Sequence, residues 1–336
     1  MMAHVCVALA ICDCREAKRS DGCMTVQPCS GYVVSPTGYD QGGDFCQASW
    51  ALISQFVDGH RLDESLKSPE DLGGEPMKPI ITTHDLTKRF GDFAAVDHIN
   101  LEVMKGEIFG FLGPNGAGKS TTIRMLTTLS EPSEGTAEID GFDIRTQADE
   151  VRRRIGLVAE KIILYPRLTA AENLMFFGEL YGISRAELTP RIDKLLEMVR
   201  LENFKNTPVG GYSSGMRQRL NIIRGLLHDP EILFLDEPTA LLDPQSVRFV
   251  RDLVKELNAD GKTIILTTHI MEEADELSHT VGIIDHGKLV AVDETAFLKG
   301  KFKCETLEDV FLELTGRTLR DSASARVPMR MTMGRA

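Results

Sequence analysis

Ile108-Phe-Gly-Phe-Leu112-Gly113-Pro114-Asn115-Gly116-Ala117-Gly118-Lys119-Ser120-Thr121 is the stretch that decides the fold. An apolar run suited to a buried strand enters a loop of the form G-x-x-x-x-G-K-[ST], and an amphipathic stretch over residues 120–129 follows it. Ile123, Leu126 and Leu129 fall on nearly one face of that stretch, so all three are expected to pack on a sheet. Strand, glycine loop and helix in this order make an anion cradle. The glycines let successive backbone N–H groups turn inward, and the helix N-terminus adds positive potential. Lys119 supplies a point charge for β and γ phosphates, and the Ser120 hydroxyl is of the kind that reaches Mg2+.

Around this loop, over residues 80–284, apolar strands alternate with amphipathic helices, which indicates an α/β domain with a largely parallel sheet. Strands are predicted at 108–112, 232–235, 263–267 and 281–284. A smaller helical region spans 169–227, with helices at 170–181 and 186–199, and no internal repeat is present. The loop alone fits a GTPase, a kinase, a helicase or a transporter motor. Glu231-Ile-Leu-Phe-Leu-Asp236-Glu237 narrows the choice, because it is an apolar strand ending in two adjacent carboxylates. Neighbouring side chains on an extended backbone point apart, so Asp236 suits Mg2+ and Glu237 suits an attacking water. The guanine-reading sequence Asn-Lys-x-Asp is absent, which disfavours a GTPase.

Between these two motifs lies Tyr212-Ser213-Ser214-Gly215-Met216-Arg-Gln-Arg219-Leu, which resembles the signature motif of the ABC ATPases. The resemblance covers residues 80–320 and brings every expected motif in order. It implies a P-loop NTPase fold, with a RecA-like core, an antiparallel β subdomain and a helical subdomain. It also implies site roles. Phe90 stacks on adenine, residues Gly113, Pro114, Asn115, Gly116, Ala117, Gly118, Lys119, Ser120 and Thr121 hold the phosphates of ATP, and Ser120, Asp236 and Glu160 attend Mg2+. Glu237 and His269 act in hydrolysis, while Ser213 and Gly215 form a second anion site for the ATP of another subunit. Asp243 lies at the dimer interface, and Glu160 couples to the membrane partner. Four positions depart from the family pattern: Glu160 replaces a glutamine, Ser214 and Met216 vary the signature, and Leu241 stands where a glycine is usual.

Residues 306–317, Thr306-Leu-Glu-Asp-Val-Phe311-Leu-Glu-Leu-Thr-Gly316-Arg, look like the terminal motif of the drug-exporter subgroup, similar to daunorubicin-resistance ATPases. Without the family they read as an amphipathic helix, with Leu307, Val310, Phe311 and Leu314 on one face. The resemblance implies a homodimer on ATP binding and a separate ABC-2 type permease, with the chain cytoplasmic and peripheral on the inner face of the membrane. An importer ATPase and a soluble, non-transport ABC ATPase are the alternatives. The soluble type usually carries two such domains or a long coiled coil, and neither pattern is present.

Composition agrees with this reading. Of 336 residues, 42% are hydrophobic and 26% charged, which suits a folded core and excludes general disorder, a collagen-like fibre or a small disulfide scaffold. A net charge of −12 opposes nonspecific binding to nucleic acid. The apolar runs are too short for a bilayer, and no Lys or Arg precedes the first of them, so neither a transmembrane segment nor a cleavable export signal is expected. Six of the seven cysteines fall within the first 46 residues without a Cys-x-x-Cys pair, which reads as reduced thiols. Residues 1–76 lack periodicity and read as a disordered extension. A sharper expectation is an over-long reading frame, since Gly73-Gly74-Glu75 can be encoded by a purine-rich stretch resembling a ribosome-binding site just before Met77. The arginine-rich residues 321–336 read as a disordered basic tail, and 291–320 as an accessory region.

Overall fold

The computed structural model describes residues 78–316. The expectations for residues 1–76, for the six early cysteines and for the basic tail lie outside the described residues. Two sheets organise the rest. The first is antiparallel and consists of β1 (Pro79–Phe90), β2 (Phe93–Ile99), β3 (Glu102–Met104), β5 (Glu134–Ile139) and β6 (Phe142–Asp143), in the order β2-β1-β5-β6 with β3 also on β1. Its β1–β2 hairpin turns at Gly91 with φ of 58°, and this sets Phe90 opposite Phe93.

The second sheet has the order β11-β10-β4-β9-β8-β7. Its members are β4 (Ile108–Leu112), β7 (Ile155–Val158), β8 (Ile232–Asp236), β9 (Thr263–Thr268), β10 (Thr280–Asp285) and β11 (Lys288–Glu294). All neighbours are parallel except β10 with β11. Every residue of β4, β8 and β9 is buried, the state expected of strands covered on both faces. The four predicted strands are all here, three of them a residue or two longer.

Helix α1 (Lys119–Leu126) follows β4 and is shorter than expected. It stops because Thr127 returns its hydroxyl to the Ile123 carbonyl, Thr128 takes a left-handed φ of 59°, and the N–H groups of Leu129 and Ser130 both close on the Arg124 carbonyl. Leu129 therefore leaves the packed face and is 59% exposed, contrary to the sequence expectation. Ile123 and Leu126 do pack, within the core between the two sheets.

After α2 (Ala148–Arg154) and β7 comes the helical region, made of α3 (Ala170–Leu180), α4 (Arg185–Met198) and α5 (Ser214–Gly225). Capping boxes fix two of its starts, Thr169 with Glu172 and Ser184 with Glu187. Leu174, Leu188, Ile192, Leu220 and Ile223 then bury against Leu233 and Leu235 of β8, which joins the helices to the parallel sheet. Next come α6 (Pro244–Ala259) and α7 (Met271–Leu277), then α8 (Thr295–Phe302) and α9 (Leu307–Thr315). Leu307, Val310 and Phe311 of α9 share a core with Met271 and Ala274 of α7 and with Val281 of β10. The terminal amphipathic stretch is thus packed into the fold.

Candidate functional site

The chemistry gathers where β4, β8 and β9 deliver their carboxyl ends. Between β4 and α1 the loop takes left-handed φ at Gly116 (83°) and Gly118 (115°). Gly118 is more than a flexible hinge. A Cβ there would lie 2.6 Å from the Ala95 carbonyl oxygen, so β2 presses directly on the loop. As N-cap of α1, Gly118 offers no side chain to the first-turn N–H groups, which leaves those donors available to an anion. Lys119 is buried, and its ammonium donates to the carbonyls of Gly113 (2.8 Å) and Pro114 (3.3 Å) while lying 3.2 Å from Glu237 Oε1.

At the end of β8, Asp236 Oδ1 accepts from Ser120 Oγ at 3.0 Å and from Thr267 Oγ1 at 2.6 Å. Glu237 does not continue the strand. It turns with φ of 50°, so the two carboxylates are separated by a backbone turn and not by pleat alternation as expected from sequence. Its N–H is held by Thr267, at both the carbonyl and the hydroxyl. Glu237 Oε2 lies 2.7 Å from His269 Nδ1. Lys119, Glu237 and His269 therefore form a continuous polar chain, and both carboxylates are largely buried, not at an exposed acidic turn.

Above this chain opens a cleft of about 970 Å³. Phe90, Phe93, Asn115, Gly116, Gly118, Lys119, Ser120, Thr121, Glu160, Glu237 and His269 line it, so most of the expected site residues meet in one place. Phe90 is 57% exposed and offers a free ring at the mouth, with Lys88 Nζ 5.5 Å from its centre. Phe93, Lys161 and Ala240 also line the cleft and were missed from sequence, and Leu241, noted there only as a departure from the family pattern, lines it too. Phe93 had a signal, because Phe-Gly-Asp-Phe reads as a tight turn between two aromatics.

Ser213, Gly215 and Asp243 are not in this cleft. They form a second group at the start of α5 and α6. Ser213 Oγ caps α5 by accepting from Met216 N at 3.2 Å, and a Cβ on Gly215 would meet Ser246 Oγ at 2.1 Å. Asp243 caps α6, accepting from Ser246 Oγ (2.6 Å) and Ser246 N (3.0 Å). The hydroxyl bond first, and the backbone bond with it, hold the Asp243 carboxyl below the usual range.

Among the described residues, no group of three or more His, Cys, Asp or Glu side chains is disposed to hold a metal by itself. That fits Mg2+, which binds through one or two protein oxygens and otherwise through phosphates and water. Ser120 Oγ and Asp236 Oδ1 already share a hydrogen bond at the cradle, so the donor set is of the right kind. A phosphate cradle facing a buried Asp-Glu pair across parallel strands defines a P-loop nucleoside triphosphate hydrolase.

Comparison with known proteins carries this further. The family model described as ABC transporter matches residues 96–240. The chain is 41% identical over 233 residues to Nod factor export ATP-binding protein I of Cupriavidus metallidurans, covering 69% of this chain and 77% of that protein. It is also 41% identical over 238 residues to ABC transporter ATP-binding protein NatA of Bacillus subtilis, with 69% and 97% covered. Among solved structures, the ATP-binding subunit of an ABC transporter superposes with a TM-score of 0.64 at 30% identity, over 70% of this chain and 99% of its own. A dimeric ATP-binding cassette in a post-hydrolysis state, bound to ADP and Pi, gives 0.58 at 31% identity, over 64% and 98%. The chain belongs to the ABC transporter ATP-binding subunits, and it is an ATP hydrolase.

Proposed function

We propose that this subunit powers export through a separate membrane permease of the ABC-2 type, working as a homodimer that closes on two ATP molecules. One observation carries the reading: the cleft gathers only part of the expected site. It contains the cradle, Glu237 and His269, while Ser213, Gly215 and Asp243 stand apart on the same chain. A second copy placed head to tail would bring its Ser213 and Gly215 to the nucleotide. The dimeric cassette among the similar structures and the export-type name of the Cupriavidus relative support this arrangement.

Phe90 would stack on adenine, and residues 113–121 would hold the phosphates, with Lys119 moving from the Gly113 and Pro114 carbonyls to phosphate oxygens. Ser120 and Asp236 would hold Mg2+, and Glu160 lines the same cleft as Ser120. When bound, the ion neutralises charge on the phosphates. Glu237 would then orient water in line with the γ-phosphate, and His269 would fix the carboxylate through its 2.7 Å contact. Beyond Glu160 in the chain, Ile163 and Tyr165 of the loop before α3 and Phe176 and Leu180 of α3 are exposed, with the Tyr165 and Phe176 rings edge to face at 5.1 Å, apolar surface suited to a membrane-protein partner. No described helix is long and apolar enough to cross a membrane.

The test is co-expression with the membrane protein encoded beside it. Co-purification from membranes with stimulated ATP hydrolysis is expected. A fully soluble, unstimulated ATPase would favour the non-transport alternative.

A further inference from the structure

The turn that joins β10 to β11 lies far beyond the phosphate loop in the chain, yet it is built against that loop. Asp285 pairs with Lys288 across it, and the two residues between, His286 and Gly287, both take left-handed φ, 48° and 77°. This is the two-residue hairpin turn whose twist matches its flanking strands. Both of its sides are fastened. Gly287 N donates to the Ala117 carbonyl of the loop at 2.8 Å, and the Gly287 carbonyl accepts from Asp97 N of β2, also at 2.8 Å.

The packing is as close as the hydrogen bonding. A Cβ on Gly287 would lie 2.8 Å from the Ala95 carbonyl oxygen, the same oxygen that crowds Gly118. A Cβ on Gly118 would stand 3.5 Å from Gly287 Cα, and one on Gly113 would meet the Ile284 carbonyl oxygen at 2.2 Å. Residues 284–287 thus bear on the cradle at Gly113, Ala117 and Gly118. From the other side comes β2, whose first residue, Phe93, lines the cleft. The Lys288 ammonium lies 3.5 Å from Asp97 Oδ2 but largely in solvent, so backbone bonds and close packing, more than charge, make the joint. A loop with two left-handed glycines has many conformations open to it, and outside contacts are what hold its N–H groups inward.

We propose that Gly287 is a positioning residue for the phosphate cradle: the β10–β11 turn clamps the loop to β2 and presets the inward N–H groups before nucleotide arrives. The inference rests on residues 113–121 holding the phosphates of ATP. Asp236, Glu237, Thr267 and His269 are tied to one another without the turn. Nucleotide binding, more than the chemical step, therefore depends on Gly287.

The test uses the full chain, with ATP affinity, KM, kcat and melting temperature measured for Gly287→Ala, Gly141→Ala and Lys119→Ala. Gly141, between β5 and β6, is the control: its φ of 79° is nearly the same, but a Cβ there meets nothing within 4 Å. Backbone strain is thus common to both alanine variants, and the close contact belongs to one. Measured well below the melting temperature, Gly287→Ala should weaken ATP binding and raise KM about tenfold or more, with kcat within about threefold of the parent. Gly141→Ala should keep parental affinity, KM and kcat. Parental KM in Gly287→Ala would overturn the proposal, as would an equal rise in KM in both variants or a fall in kcat alone. Parental ATP affinity in Lys119→Ala would remove the cradle assignment itself and the proposal with it. If Gly287→Ala does not fold, amide exchange in the parent chain supplies the measurement. A nonhydrolysable ATP analogue, which binds the clamped loop, should slow exchange of the Gly287 N–H about tenfold or more and leave the Gly141 N–H unchanged. Exchange at Gly287 that does not respond to the nucleotide would refute the clamp.

Discussion

Gly118→Ala should damage the cradle more than Gly116→Ala, although both glycines have left-handed backbone two residues apart. At Gly116, with φ of 83°, an added Cβ meets nothing within 4 Å. Only backbone strain opposes the methyl, about 1–2 kcal/mol, partly offset by a less disordered unfolded chain. At Gly118, with φ of 115°, the Cβ would lie 2.6 Å from the Ala95 carbonyl oxygen and 3.2 Å from Ile284 Cδ1. Backbone cannot rotate aside as a side chain can, so an overpacking cost of about 1–3 kcal/mol adds to the strain. The expected totals are about 1 kcal/mol for Gly116→Ala and about 2–4 kcal/mol for Gly118→Ala. Urea unfolding of the nucleotide-free chain reads the difference as a lower midpoint. Equal midpoints for the two variants would refute the claim that β2 presses on the loop.

Phe90→Ala should weaken ATP binding about threefold to tenfold, the worth of one aromatic stack, while Phe90→Trp keeps it; fluorescent-nucleotide titration decides. Leu241 is 99% exposed at φ of 61°, so Leu241→Gly removes strain without losing packing and should not destabilise the monomer by urea unfolding. Burial is the main cause that raises the Glu273 carboxyl above its usual range. A carboxyl raised in the folded state costs stability that grows as pH climbs from the unfolded value to the folded one, and the cost is absent below both. Glu273→Leu should therefore gain melting temperature over the parent near about pH 7.5, with the gain shrinking toward about pH 4.5; a gain independent of pH would contradict this.

The parallel sheet was legible because its strands are short, continuous apolar runs punctuated by glycine and charge, and β4 begins and ends where the run does. The end of α1 was not legible. Leu129 keeps the helical spacing, but the stop depends on the Thr127 hydroxyl and on two N–H groups turning to one carbonyl. The antiparallel sheet followed from the family resemblance and not from periodicity, since β1 mixes buried and exposed positions and carries register shifts against all three partners. Lys119, Ser120, Asp236 and Glu237 were found by motif, and the structure brings them within hydrogen-bond or ion-pair reach. Thr267 escaped because a threonine in a strand looks ordinary until its hydroxyl is seen to reach Asp236.

Hydrolysis by Glu237→Gln tests the account most directly, with bound nucleotide measured in the same sample. The substitution preserves shape and removes the charge that pairs with Lys119 and His269. ATP should remain bound with near-parental affinity while turnover falls by about a hundredfold or more. Unchanged steady-state hydrolysis would contradict the assignment of Glu237 and, with it, the proposed mechanism.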